Sequence, residues 1–232
     1  MSRRVLVVQH VPWETAGRIL PALAAAGLVV ETRLLIGEAD PGIPSLDELA
    51  GIVIMGGPMD ADDVTRYPAL ALERELAGRA TEAGVPLLGV CLGHQITALA
   101  LGGALESGAT QEIGVGPVTL SAKSALGAAG SELDVLHWHF DNATIPDGAE
   151  LLAHSPGCPN QAFRLGSTLA MQFHLEVDVP LLREWLAVEA VRDEAPTAPA
   201  ALLASLERAD AGVAAAATSV FGEFAALAAA RN

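Results

Sequence analysis

Apolar residues in this chain come in short unbroken runs, and the first of them, Arg4-Val5-Leu6-Val7-Val8-Gln9, is compact and β-branched. Helical spacing follows over residues 13–26 and stops at Gly27, after which 28–34 is strand-like again, so the chain opens as β-α-β. Gly51-Ile52-Val53-Ile54-Met55 is the next buried run. It leads into a Gly-Gly-Pro turn, a helix over 68–82, a strand over 86–90 and a helix opening at Leu92. Strands that are apolar throughout, joined by helices, predict a mostly parallel sheet covered on both faces: a doubly wound α/β fold.

After Gly102-Gly103 the pattern changes. Short strand candidates at 114–120, 134–138, 150–154, 161–165 and 168–173 are separated by turns, which predicts an antiparallel portion in the second half. Helical spacing returns over 179–191, Pro196 and Pro199 interrupt it, and 200–230 is Ala-rich with Leu, Val and Phe at helical intervals. Residues 1–190 are expected to form one domain, with 191–232 a helical extension packed on it, where a homodimer contact is one use for the tail.

Composition narrows the functional classes. A formal net charge of -15 repels a phosphate backbone and argues against nucleic acid as a partner. No run holds the ~20 unbroken apolar residues of a membrane span, and the start reads as a buried strand and not as a signal peptide. Two cysteines, Cys91 and Cys158, are too few for a disulfide framework and fit a reduced, cytoplasmic setting, so the sequon at Asn142 reads as chance.

The chemistry centres on Leu88-Gly89-Val90-Cys91-Leu92-Gly93-His94-Gln95, a buried strand running straight into a helix with glycines two residues either side of a cysteine. This is the pattern of a nucleophile elbow, in which small neighbours let a strained turn close. The helix opening at Leu92 directs its free N–H groups and positive dipole end at the sulfur. An unperturbed thiol is only about 3% thiolate at pH 7, so such a nucleophile also needs a base. A G-x-C-x-G match alone also fits an ordinary buried cysteine; the flanks favour the elbow.

Three separated motifs, Met55-Gly56-Gly57-Pro58-Met59, Gly89 to Gln95, and Gln172-Phe173-His174-Leu175-Glu176, together resemble the class I glutamine amidotransferase domain in order and spacing. His137-Trp138-His139 and Pro159-Asn160-Gln161-Ala162-Phe163 are similar to a stand-alone subgroup related to the glutaminase half of GMP synthetase. The resemblance implies a flavodoxin-like fold and a Cys-His-Glu triad, with Cys91 as nucleophile, His174 as base and Glu176 orienting it. It further implies an oxyanion hole from the N–H groups of Gly57 and Leu92, and substrate contacts from Gln95 and the main chain at Phe140 and Asp141. The implied substrate is glutamine or a γ-glutamyl small molecule, with no cofactor and with a separate synthetase as a candidate partner. Two positions depart from the pattern: Phe140, where the subgroup's S-H-x-D string usually has glycine, and Leu175, where proline is usual.

Other residues read more plainly. His137 and His139 show no carboxylate at ligand spacing, so no metal site is expected. His94 reads as structural, Cys158 as a bystander in a Pro-Gly-Cys-Pro turn, and Glu14 as a helix-start carboxylate, with substrate contact as the alternative. Gly56-Gly57 lacks the remaining glycines of a dinucleotide loop and the lysine of a phosphate loop. The competing functions are a free-standing γ-glutamyl peptidase, a catalytically silent regulatory or binding module of the same fold, and a chaperone-like or glyoxalase-type protein with a cysteine elbow.

Overall fold

The computed structural model describes residues 4–35 and 42–231. Its strands are β1 (Arg4–Gln9), β2 (Val29–Leu34), β3 (Leu49–Ile54), β4 (Leu87–Val90), β5 (Leu105–Glu106), β6 (Glu112–Leu120), β7 (Glu132–His139), β8 (Asn142–Ala143), β9 (Glu150–His154), β10 (Ala162–Leu165) and β11 (Thr168–Met171). Its helices are α1 (Ile19–Ala25), α2 (Ala69–Glu82), α3 (Leu92–Ala100), α4 (Val179–Trp185), α5 (Glu189–Glu194) and α6 (Pro199–Ala230).

Nine strands form one sheet in the order β2-β1-β3-β4-β11-β10-β9-β6-β7. The strands from β2 through β11 run parallel, and the remainder pair antiparallel, so the sheet has the parallel and antiparallel portions that the run pattern predicts and the flavodoxin-like form that the resemblance implies. Alternation along β1 shows why its run is apolar throughout. Val5 and Val7 join the core on one face, with α1 and α6, while Leu6 and Val8 join the core on the other, with α2 and α3.

Two expectations change. The helix predicted over 13–26 begins only at Ile19, because Gly17 (φ 42) lies against the Glu176 carbonyl, to which the Arg18 N–H is bonded at 3.0 Å. That clamp leaves Trp13 and Glu14 in a loop. The helical stretch over 179–191 is split in two around residues 186–188. The tail is one 32-residue helix, α6, which opens with Pro199 in its first turn.

By length and a mean hydropathy of 1.6 in its most apolar stretch, α6 qualifies to cross a membrane, although it lacks an unbroken apolar run. One face of it is occupied by the domain: Val213, Ala217, Val220, Phe221, Phe224 and Ala228 are buried in the core that also holds Val5, Val7 and Val53. Phe221 is 1% exposed. Truncating it to alanine is expected to cost about 3–5 kcal/mol in chemical denaturation, as for any large ring removed from a closed core. An unchanged midpoint would mean that α6 is not part of the folded unit.

Candidate active site

Parallel strands place their following loops at one edge of the sheet, and at the centre of that edge β3, β4 and β11 stand side by side. Gly56-Gly57 follows β3, Cys91 follows β4, and His174 and Glu176 follow β11. Cys91 is the only non-glycine residue with positive φ among the described residues (φ 54, ψ -106). Its N–H is fixed to the Met171 carbonyl (2.8 Å), and the Gly93 N–H to Met55 (3.2 Å), so both neighbouring strands hold the turn. A Cβ at Gly89 would sit 2.5 Å from the Gly93 carbonyl oxygen, and one at Gly93 would overlap the Ile54 carbonyl, which is why both are glycine.

Behind the cysteine, His174 is 1% exposed and its Nδ1 bonds Glu176 Oε1 at 2.7 Å, while Nε2 makes no other hydrogen bond. Burial works against the imidazolium, but the Glu176 carboxylate and the Cys91 sulfur outweigh it and raise the His174 pKa well above the usual value. The Cys91 thiol also points at the Trp138 carbonyl, 3.5 Å away. The His174 N–H is clipped to Leu136 at 2.8 Å, so β7 braces both partners of the pair.

These groups line a cavity of about 390 Å³. Gly57, Leu92, Gln95, Phe140 and Asp141 line it too, so the residues singled out from the sequence converge there, with Glu176 directly behind. In the first turn of α3, the N–H groups of His94 and Gln95 bond the Cys91 carbonyl and that of Gly93 bonds Met55, which leaves Leu92 N–H at the cavity. Gln95 Nε2 donates to Gln172 at 3.2 Å and to the Asp141 carbonyl at 3.5 Å. The Asp141 carboxylate accepts the Gly108 N–H at 2.7 Å, and its carbonyl also meets His139 Nδ1 at 3.1 Å, so the turn is held from both sides.

Sequence reasoning underrated three groups. Glu14 is not a helix-start carboxylate: it lines the cavity, and a methyl added at Gly56 would overlap its carboxyl while lying 3.4 Å from His174 Cε1 and 3.5 Å from Cys91 Cβ. Burial pushes its pKa up to about 7, against the opposing pull of His174 and His10. His10 itself is buried, with Nδ1 on the Gly56 carbonyl (2.8 Å) and Nε2 on Glu73 (2.9 Å), so an ion pair reaching to α2 sets the glycine loop. Burial lowers the His10 pKa and Glu73 more than restores it, for a net rise.

The third is Glu112, the carboxylate that His137 and His139 were expected to lack. Antiparallel pairing sets Glu112 opposite His139, and donor atoms of Glu112, His137 and His139 all lie within 4.8 Å of one another. The carboxylate is engaged by hydrogen bonds from Gln161 (2.6 Å), Ser155 (2.7 Å) and His139 (3.0 Å). Burial would raise its pKa, but these bonds and the nearby histidines lower it to about 2. The cluster thus works as a hydrogen-bonded brace beneath His139 and the following Phe140-Asp141 turn. His94 packs on Phe163 with ring centres 5.3 Å apart and its pKa is lowered by burial to about 3; Cys158 is buried with its thiol pushed up to about 12.

Two measurements check this electrostatic layout. By NMR in the Cys91→Ala protein, the His174 ring should titrate above pH 6.5, and Glu176→Gln should lower its midpoint. Glu14 gives the opposite sign. A carboxyl whose folded pKa is raised costs nothing below its unfolded value near 4.3, and its cost grows until pH passes about 7. Glu14→Gln should therefore melt at a higher temperature than the parent at pH 8, with the gap closing by pH 4.

Residues 20–184 match the family model of the class I glutamine amidotransferases. The glutamine amidotransferase-like protein YfeJ of Salmonella typhimurium is 34% identical over 76% of this chain and 77% of its own length. The GMP synthase of Lactococcus lactis is 36% identical over 55% of this chain, but that stretch is only 24% of the synthase. Among solved structures, a glutamine amidotransferase from Thermotoga maritima superposes with a TM-score of 0.86 at 28% identity, covering 96% of this chain and 97% of that one. One from Methylobacillus flagellatus gives 0.85 at 25% identity, covering 97% and 94%. With its cysteine elbow, glycine loop and histidine segment on one sheet edge, the chain belongs to the class I glutamine amidotransferase family.

Proposed function

We propose that the protein hydrolyses the γ-amide of glutamine or of a γ-glutamyl compound through a thioester on Cys91. The observation that carries this is the positive-φ cysteine at a helix N-terminus, opening into the same cavity as a buried His174–Glu176 pair. His174 takes the thiol proton, and the sulfur attacks the amide carbon. The oxyanion that forms is met by the N–H groups of Gly57 and Leu92. The C–N bond then breaks as His174 returns its proton to the leaving nitrogen, and water, deprotonated by the same imidazole, cleaves the thioester to release glutamate. Glu176 fixes the tautomer of His174 and stabilises its charged form.

Gln95 and the main chain at Phe140-Asp141 hold the glutamyl α-end in this reading, with the brace at Glu112 supporting that turn. Phe140, 38% exposed at the cavity, narrows the entrance in place of a glycine. A free thiol nucleophile suits a reducing compartment, the cytoplasm. Similarity to the glutaminase part of GMP synthase favours a second role, in which the ammonia passes to a separate synthetase polypeptide. An intact cysteine, histidine and glutamate arrangement weighs against a silent module.

Ammonia or amine release from glutamine and simple γ-glutamyl amides tests the proposal. Cys91→Ala should abolish turnover, a fall of at least about 10³-fold, and Glu176→Gln should lower kcat by a smaller factor. Turnover that survives loss of the sulfur would overturn the thiol mechanism.

A further inference from the structure

We propose that Trp13, Glu14, Trp138, Trp185 and Glu194 form a leaving-group subsite for a γ-glutamyl amide whose amine half carries a positive charge. The inference rests on the hydrolase reading and adds the substrate class. The leaving nitrogen must depart beside His174, because that imidazole returns its proton. What surrounds His174 on the cavity side is Trp185, ring centres 5.0 Å apart and edge-on, and the carboxyl of Glu14.

The five residues are tied to one another. Trp185 Nε1 donates to the Trp13 carbonyl at 2.8 Å, Trp185 stacks edgewise on Trp138 at 6.1 Å, and Trp138 Nε1 donates to Glu194 at 2.9 Å. All three tryptophans of the chain therefore stand at one cavity, together with the carboxylates of Glu14 and Glu194. Among the described residues that line the cavity there is neither lysine nor arginine. Aromatic faces with carboxylates, and with no lysine or arginine beside them, favour an ammonium group over a carboxylate.

The volume and the chain boundaries point the same way. A cavity of about 390 Å³ holds more than the ammonia that glutamine would release. Four of the five residues lie outside the 20–184 stretch that matches the family model: Trp13 and Glu14 precede it, and Trp185 and Glu194 follow it. The reacting groups come from the matched stretch and four of the five subsite residues from outside it, a division that suits one chemistry directed to a particular amine. The reaction balances as written above: the amide gives glutamate and a diamine, with water consumed.

Three amides of equal length decide the matter, the γ-glutamyl monoamides of diaminobutane (cationic), butylamine (neutral) and aminobutyrate (anionic), with glutamine alongside. The kcat/KM for the cationic amide should exceed that for the neutral one about tenfold, the worth of roughly 1.4 kcal/mol. Glu194→Gln should lower that ratio, as should added salt. Binding to the Cys91→Ala protein, read from tryptophan fluorescence, should follow the same order. Equal or reversed preference in turnover and in binding would overturn the subsite. Failure of every amide to turn over would instead overturn the hydrolase reading, while the binding order would still decide the subsite.

Discussion

The centre of this protein depends on a single strained residue, Cys91 held at φ 54. A non-glycine residue in that region costs about 1–3 kcal/mol, and it persists only where the surroundings leave no alternative. Here the surroundings are two strands and a helix. Met171 of β11 fixes the amide before the turn, Met55 after β3 fixes the amide two residues on, and Gly93 lets α3 descend until its backbone meets that of Ile54. The strain is thus spread over three elements that the sheet already holds at a fixed spacing. Relaxing Cys91 would require α3 to lift off its core, where Leu92 and Ile96 are buried.

Once the elbow is fixed, the rest of the site is a matter of holding loops against it. Two polar groups do this, one buried and one partly buried. His10 bridges Gly56 to Glu73, and Glu112 ties His139, Ser155 and Gln161 together. Such pairs add little net stability, because desolvation offsets most of their attraction. Their value here is directional. A short contact from a ring nitrogen to a backbone carbonyl fixes the glycine loop in a way that apolar packing, which has no preferred angle, cannot.

The sheet, its mixed direction and the segments that carry Cys91, His174 and Glu176 were legible because each is written in local sequence. The run 51–55 needs only its own residues to read as a buried strand, and His174 and Glu176 share a face through a spacing of two. The residues that were missed or misread depend on distant partners. Glu112 meets His139 only through β6-β7 pairing, His10 meets Glu73 across the edge of the sheet, and Glu14 was assigned to a helix that a contact between Gly17 and Glu176 prevents. Helical spacing over 13–26 was a real pattern with the wrong cause: Trp13 is apolar because it lines the cavity and meets Trp185.

The same dependence on distant partners assigns a task to the C-terminal tail. α5 is six residues long and buries none of them, so it has no means of ordering itself. It nevertheless brings Ala190, Val191 and Glu194 to the cavity. What positions it is the apolar cluster beneath, where Trp185 and Leu186, at the end of α4, meet Leu202 and Leu206 of α6, with Val191 and Ala195 packed on top. Further along, α6 is sunk into the main core through Phe221 and its neighbours. The long helix therefore acts as a strut: its distal half is bound to the sheet, and its proximal half holds one wall of the cavity against the elbow. Loss of packing around Phe221 would loosen that wall before it disturbed Cys91, because the elbow is held from within the sheet and the wall only from outside it.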